Sequence, residues 1–173
     1  MALDTIIIQD KVTQKFGDDV TAFGMQRDIF NFEVAPNRIH EVIDFLKNDA
    51  DINFHFLTDL TVVHYPELDE NHQFSVVYQL HNWVENVRLR VRTFVPASLQ
   101  IATITDLFLT ANWMEREAYD FYGVLFKGHP QLKRILNMDE MVSFPMRKEF
   151  PMEDQGRTDK DDRFFGRVPV NCN

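Results

Sequence analysis

The chain has 173 residues, enough for one domain with a sizeable core and an appendage. Hydrophobic residues make up 45% and charged residues 26%, which excludes a wholly disordered chain, and 16 Phe point to an aromatic-rich core or to an apolar surface that a partner covers. A formal net charge of -9 disfavours nucleic acid and direct lipid contact, and the single Cys172 excludes an internal disulfide and cannot by itself ligate an iron–sulfur cluster.

One thiol suits a reducing compartment. The opening residues MALDTIIIQDKV lack the basic and long apolar regions of a signal peptide. No apolar run approaches the roughly 20 residues of a membrane span. The expectation is that any membrane association comes through another subunit.

Taken in chain order, Ile8, Val12 and Phe16 recur at helical spacing ahead of Gly17, which predicts a short helix over 4–16. Residues 18–26 read as a linker. Phe30, Phe32 and Val34 alternate with Asn31 and Glu33 and predict a half-buried strand. Pro36 suits a first helical turn, and Ile39, Val42, Ile43 and Leu46 continue it with polar residues on the other faces. Three strands follow. The first, over 54–65, is rich in β-branched and aromatic residues, and the second alternates through Phe74, Val76, Tyr78 and Leu80. The third sets Val87, Leu89 and Val91 against Arg88, Arg90 and Arg92. A short turn near Glu85 and Asn86 makes the last two antiparallel. One sheet face is therefore expected to be apolar and the other to carry a basic stripe.

Beyond Pro96 a short turn over 106–110 and a helix over 112–122, closed by Gly123, are predicted. This order gives an α+β domain with an antiparallel or mixed four-stranded sheet covered by helices. The divisions are an N-terminal helix and linker over 1–27, a core domain over 28–136 and an extended arm over 137–173. In the arm periodicity vanishes, and Pro145, Pro151, Gly156, Gly166 and Pro169 punctuate a charged stretch. Phe144, Met146, Phe150, Phe164 and Phe165 are ill suited to a solvated tail, so the arm is expected to lie along a partner.

Nucleotide and metal signatures are missing: no GxGxxG, no GxxxxGK, no CxxC and no histidines at HExxH spacing. His55, His64, His72 and His81 read as sheet-surface or loop residues. The chemistry concentrates instead in the helix at 112–122. Arg116 and Asp120 stand at i, i+4, where they would form an ion pair, with Glu115 and Glu117 beside them. On the residues alone this is a helix with solvated ion pairs, or equally an interface helix whose carboxylates meet a partner's Arg or Lys. Catalytic carboxylates rank third, because no nucleophile, second acid or cofactor motif converges on them.

The stretch 113–136 resembles the signature of the C-type subunit family of NADH-quinone oxidoreductases (complex I). The matching residues are Glu115, Arg116 and Glu117, then Asp120, Phe121, Tyr122 and Gly123, then Gly128, His129 and Pro130, and finally Arg134, Ile135 and Leu136. Pro145, Met146, Arg147, Lys148, Glu149, Phe150 and Pro151 match a second run of the family. Thr58 to Thr61 and Thr105 to Leu107 also look like its pattern, so the likeness extends over about 30–151. One departure is Ser143-Phe144, where many relatives carry Gly-His.

The resemblance implies a non-catalytic structural subunit of a proton-pumping NADH:quinone oxidoreductase of the respiratory chain, binding no flavin, iron–sulfur cluster or quinone of its own. Its implied partners are the quinone-site subunit and the terminal-cluster subunit of the peripheral arm. Its implied place is the cytoplasmic face of the inner (cell) membrane, held there by the complex. Gly123 and Gly128 would permit a tight backbone after the helix, and Pro130 would fix the path into 131–136. Arg147 and Lys148 would donate to a neighbour's carboxylates, and Glu115, Arg116, Glu117, Asp120, His129 and Arg134 would serve interface or structure. A related reading keeps the fold in a complex fed by ferredoxin, another reduced carrier or hydrogen. A different class is a free-standing enzyme using His129 with Glu115 or Glu117 as acid–base groups.

Overall fold

The computed structural model describes residues 4–96, 98 and 100–150. Helix α1 (Thr5–Phe16) starts where Asp4 accepts a hydrogen bond from the Ile6 N–H, and it buries Ile8, Val12 and Phe16. Strands β1 (Val20–Gln26) and β2 (Ile29–Val34) form a hairpin. Pro36 opens a 3-10 turn that leads into α2 (Ile39–Asn48), which buries Ile39, Val42, Ile43 and Leu46. Strands β3 (Phe56–His64), β4 (Phe74–Asn82) and β5 (Val87–Val95) follow. The chain then passes through β6 (Gln100–Ala102), α3 (Ala111–Tyr122) and β7 (Leu125–Lys127).

The main sheet has the order β1-β2-β5-β4-β3, antiparallel throughout except for the parallel pair β2–β5. It is a mixed sheet of five strands, not four, because 18–26 holds a strand rather than a linker. The sequence conceals β1 because its alternation is broken. A bulge lies between Thr21 and Gly24, Ala22 takes φ 53°, and the Asn31 side chain donates to the Gly24 carbonyl at 2.9 Å across the bulge. The two short strands β6 and β7 pair in parallel as a separate ribbon, which three-residue segments do not announce in sequence.

The core takes one face of the main sheet. Phe30 lies beside Leu89, and Phe32 beside Val91, across the parallel pair. Val76, Tyr78 and Leu80 of β4 continue that face to Leu60 and Val62 of β3. The buried stripes of α1 and α2, with Ala111 and Ala118 of α3, close over it in one hydrophobic cluster. The opposite face carries Glu33, Gln79 and the expected row Arg88, Arg90 and Arg92. No helix among the described residues is long and apolar enough to cross a membrane.

Candidate functional site

The charged helix α3 lies between two segments of its own chain, and its signature residues tie both of them down. Glu115 faces the segment before the helix. It is fully buried and accepts from the Ile104 N–H at 2.8 Å and from the Thr103 hydroxyl at 2.5 Å. Burial pushes its carboxyl up to about 7; the Ile104 and Thr103 hydrogen bonds oppose the rise, and Asp106 adds to it. The neighbouring Tyr78 hydroxyl makes no hydrogen bond among the described residues, and burial followed by the charge of Glu115 raises its pKa.

The segment after α3 runs alongside it and is fastened at successive turns. His129 meets the Asn112 carbonyl through Nε2 at 3.1 Å, while its Nδ1 accepts from the Gln131 N–H at 3.0 Å. Those two bonds fix the tautomer with the proton on Nε2. One turn on, Arg116 donates to the Lys133 and Arg134 carbonyls at 3.1 and 3.3 Å, and its guanidinium lies 5.0 Å from the Trp113 ring centre. A further turn on, Asp120 accepts from the Ile135, Leu136 and Asn137 N–H groups, from the Asn137 side chain and from Arg134 at 2.7 Å. Burial alone would raise the Asp120 pKa. The donors of Asn137, Leu136 and Arg134 outweigh it and hold the carboxyl well below the usual range.

The expected Arg116–Asp120 pair therefore does not form. Each residue finds its partners in the segment after the helix instead, Arg116 on two backbone carbonyls and Asp120 on Arg134 and three backbone N–H groups. Arg134 is the true partner of Asp120, and it also donates to the Met141 and Ser143 carbonyls at 2.6 and 3.1 Å. Glu117 and Pro130 are exposed and join neither fastening.

The arm continues this strapping through residue 150. Gly123 ends α3 at φ 78° with its N–H on the Tyr119 carbonyl. A Cβ there would stand 2.6 Å from the Phe144 ring, so the glycine is required for close approach as well as for conformation. Phe144 is the ring that seats the arm. Arg147 donates to the Tyr122 carbonyl at 2.7 Å and lies against Phe144 and Phe74, so its guanidinium is engaged within the chain. The Lys148 side chain is exposed, while its N–H donates to His64 Nδ1 at 3.1 Å. Pro151 and the rest of the arm lie outside the described residues.

His64 is thus no surface histidine. It is buried and stacked on Phe74 with ring centres 4.6 Å apart. Burial, opposed by Glu149 and aided by Arg147 and Lys148, holds its pKa below the usual range. The signal for this is present in the sequence, since Leu60, Val62 and His64 share one face of an alternating strand. Thr103, Asn137 and Phe144 also belong to the site, and no spacing marks them. Between β3 and the arm lies a cavity of about 470 Å³, lined by Val62, His64, Tyr122, Pro145, Met146 and Phe150 among others.

Fold and site together define a small mixed-sheet α+β domain whose charged helix fastens two segments of its own chain. Residues 32–156 match the family described as respiratory-chain NADH dehydrogenase, 30 Kd subunit. The chain is 35% identical over 170 residues to the second C-type subunit of the NADH-quinone oxidoreductase of Rhizobium etli, covering 98% of this chain and 88% of that one. It is 38% identical over 152 residues to a mitochondrial NADH dehydrogenase (ubiquinone) iron-sulfur protein 3 of Candida albicans, covering 83% and 54%. A chain of the archaeal membrane-bound sulfane sulfur reductase superimposes with a TM-score of 0.70 at 25% identity, covering 85% of each chain. The trypsin-resistant fragment of Nqo5 gives a TM-score of 0.54 at 30% identity, covering 73% of this chain and 98% of that one. The chain belongs to the family of the 30 Kd, or C-type, subunit of respiratory NADH dehydrogenases.

Proposed function

We propose that this chain is a non-catalytic assembly subunit of a proton-pumping NADH:quinone oxidoreductase. In this reading it packs on the quinone-site and terminal-cluster subunits at the cytoplasmic face of the membrane and holds no cofactor. One observation carries the reading: Glu115, Arg116 and Asp120 spend their hydrogen bonds on their own chain, with every donor to Asp120 coming from the strap at 134–137. A carboxylate so occupied is a poor proton carrier and a good clamp. Around the clamp, Leu109, Trp113, Leu136, Met138 and Met146 are exposed apolar side chains of the kind a neighbour covers. The partner contact expected of the arm over 151–173 falls outside the described residues. The purified chain is accordingly expected to contain neither iron nor flavin, which elemental analysis and an absorption spectrum check.

Asp120→Ala tests the assembly role. It leaves Arg134 buried without its carboxylate, a change that typically costs about 3–5 kcal/mol. The expected result is less intact complex on a native gel, with quinone reduction per assembled complex within about twofold of normal. Full assembly with activity down by orders of magnitude would overturn the proposal. A second reading, the equivalent subunit of a complex with another electron input, draws on the likeness to the sulfane sulfur reductase chain. Mass spectrometry of the co-purifying input subunits separates the two.

A further inference from the structure

The sheet face turned away from the core carries three arginines on its strands against two acids, Glu33 and Asp59, in a chain whose net charge is -9. Arg88, Arg90 and Arg92 occupy alternate positions of β5 on that face, and Arg27 of the β1–β2 turn joins Gln26 and Arg90 around an open depression of about 490 Å³. Of these four, only Arg92 has a carboxylate within 4.0 Å among the described residues, Glu33 at 2.9 Å. Arg90 is oriented by the side-chain oxygen of Gln79, at 3.0 and 3.2 Å once that amide presents its oxygen, and a neutral amide leaves the guanidinium charge uncompensated. Arg27 sits at φ 49° and Asp28 at φ 62°, in a two-residue hairpin turn that Asn-Gly fills with least strain. A long cationic side chain is thus kept where the backbone disfavours it, over the depression.

We propose that this face docks an extended acidic segment of a neighbouring subunit. Alternate residues of a strand stand about 6.6–6.8 Å apart. Arg88 and Arg90 therefore match alternate Asp or Glu side chains of an extended chain, with Arg27 meeting a third across the depression. Val63 and Phe94, both half-buried, share the face beyond Arg92 and extend it with apolar surface. The net negative charge restricts the attraction to contact range, which suits a peptide seated on the sheet and repels a long phosphate polymer. This inference rests on the assembly role proposed above and names the chemistry of one partner.

The test uses the whole complex carrying Arg88→Glu with Arg90→Glu, and separately Arg27→Asn, followed on native gels across a salt series. The double variant is expected to lower the intact fraction at least tenfold at moderate salt. Arg27→Asn is expected to lower it about threefold while the isolated chain unfolds no earlier than wild type, which separates docking from folding. Intact fractions equal to wild type for both variants, at every salt concentration, would overturn the proposal. A defect seen only when phosphatidylglycerol vesicles are present would also overturn it, by assigning the face to lipid headgroups. So would new protease sensitivity of 151–173 in the isolated full-length double variant, which would mean that the chain's own acids occupy the face. None of these results changes activity per assembled complex, the readout on which the assembly role itself stands or falls.

Discussion

At Glu115 burial outweighs hydrogen bonding, and the result is a carboxyl that titrates near 7 inside the fold instead of near an ordinary 4.5. The folded chain therefore binds this proton more tightly than the unfolded chain. The associated stability is complete below pH 4.5 and is lost as pH rises through about 7, a difference of about 3 kcal/mol. His64 acts in the opposite sense, because its lowered pKa withdraws stability as pH falls below the usual 6.5. Total stability mixes the two slopes, so the useful quantity is a difference. Glu115→Gln should gain on wild type by about 3 kcal/mol in urea unfolding between pH 4.5 and 8. A difference that stays constant with pH would remove Glu115 as its source. Asp120 leaves that difference unchanged, because its lowered pKa gives a stabilisation that is fully present above the ordinary 3.8 and is lost only as pH falls below it.

Among the elements, α3 with its two straps behaves as one unit. Gly123→Ala places a methyl group against the Phe144 ring and forces a left-handed conformation on a residue with a side chain. The expected result is release of 141–150 from α3, read as faster amide exchange at Met146 and Arg147, whose N–H groups bond to Phe121 and Phe144. Unchanged protection there would show that the arm is seated by other contacts. The helices and the long strands are legible in the sequence because their periods are unbroken: Ile8–Val12–Phe16, Ile39–Val42–Ile43–Leu46, Phe74–Val76–Tyr78–Leu80. Strand β1 is not, because a bulge and Ala22 in a left-handed conformation destroy a period of two. In the site, the chemistry-bearing residues are legible but their partners are not. Spacing suggests Arg116–Asp120, whereas Asp120 is held from Arg134 and the backbone of 135–137. Backbone donors carry no sequence mark, so only the resemblance points to the Arg134-Ile135-Leu136 run.

Over the whole molecule, the sheet separates two kinds of surface. Helices and straps cover one face and bury the core, while the other presents arginines to the outside. Assembly contacts on both sides would place this domain between neighbours rather than at an edge. Loss of one contact surface should then leave a partly bound subunit, and Asp120→Ala combined with Arg88→Glu and Arg90→Glu should reduce assembly by more than either set alone.

The parallel pairing of β2 with β5 also bears on how the protein is made. Residues Phe30 to Glu33 have no second neighbour until Leu89 to Arg92 exist. Until then β1 and β2 are an isolated hairpin, which is marginal in water, and the apolar sides of α1 and α2 have no sheet to cover. At about 5–20 residues per second, a ribosome needs roughly 3–12 s to travel from the end of β2 to the end of β5. For those seconds the nascent chain exposes the Phe30 and Phe32 side chains of β2, and it is then that a holding chaperone has something to hold.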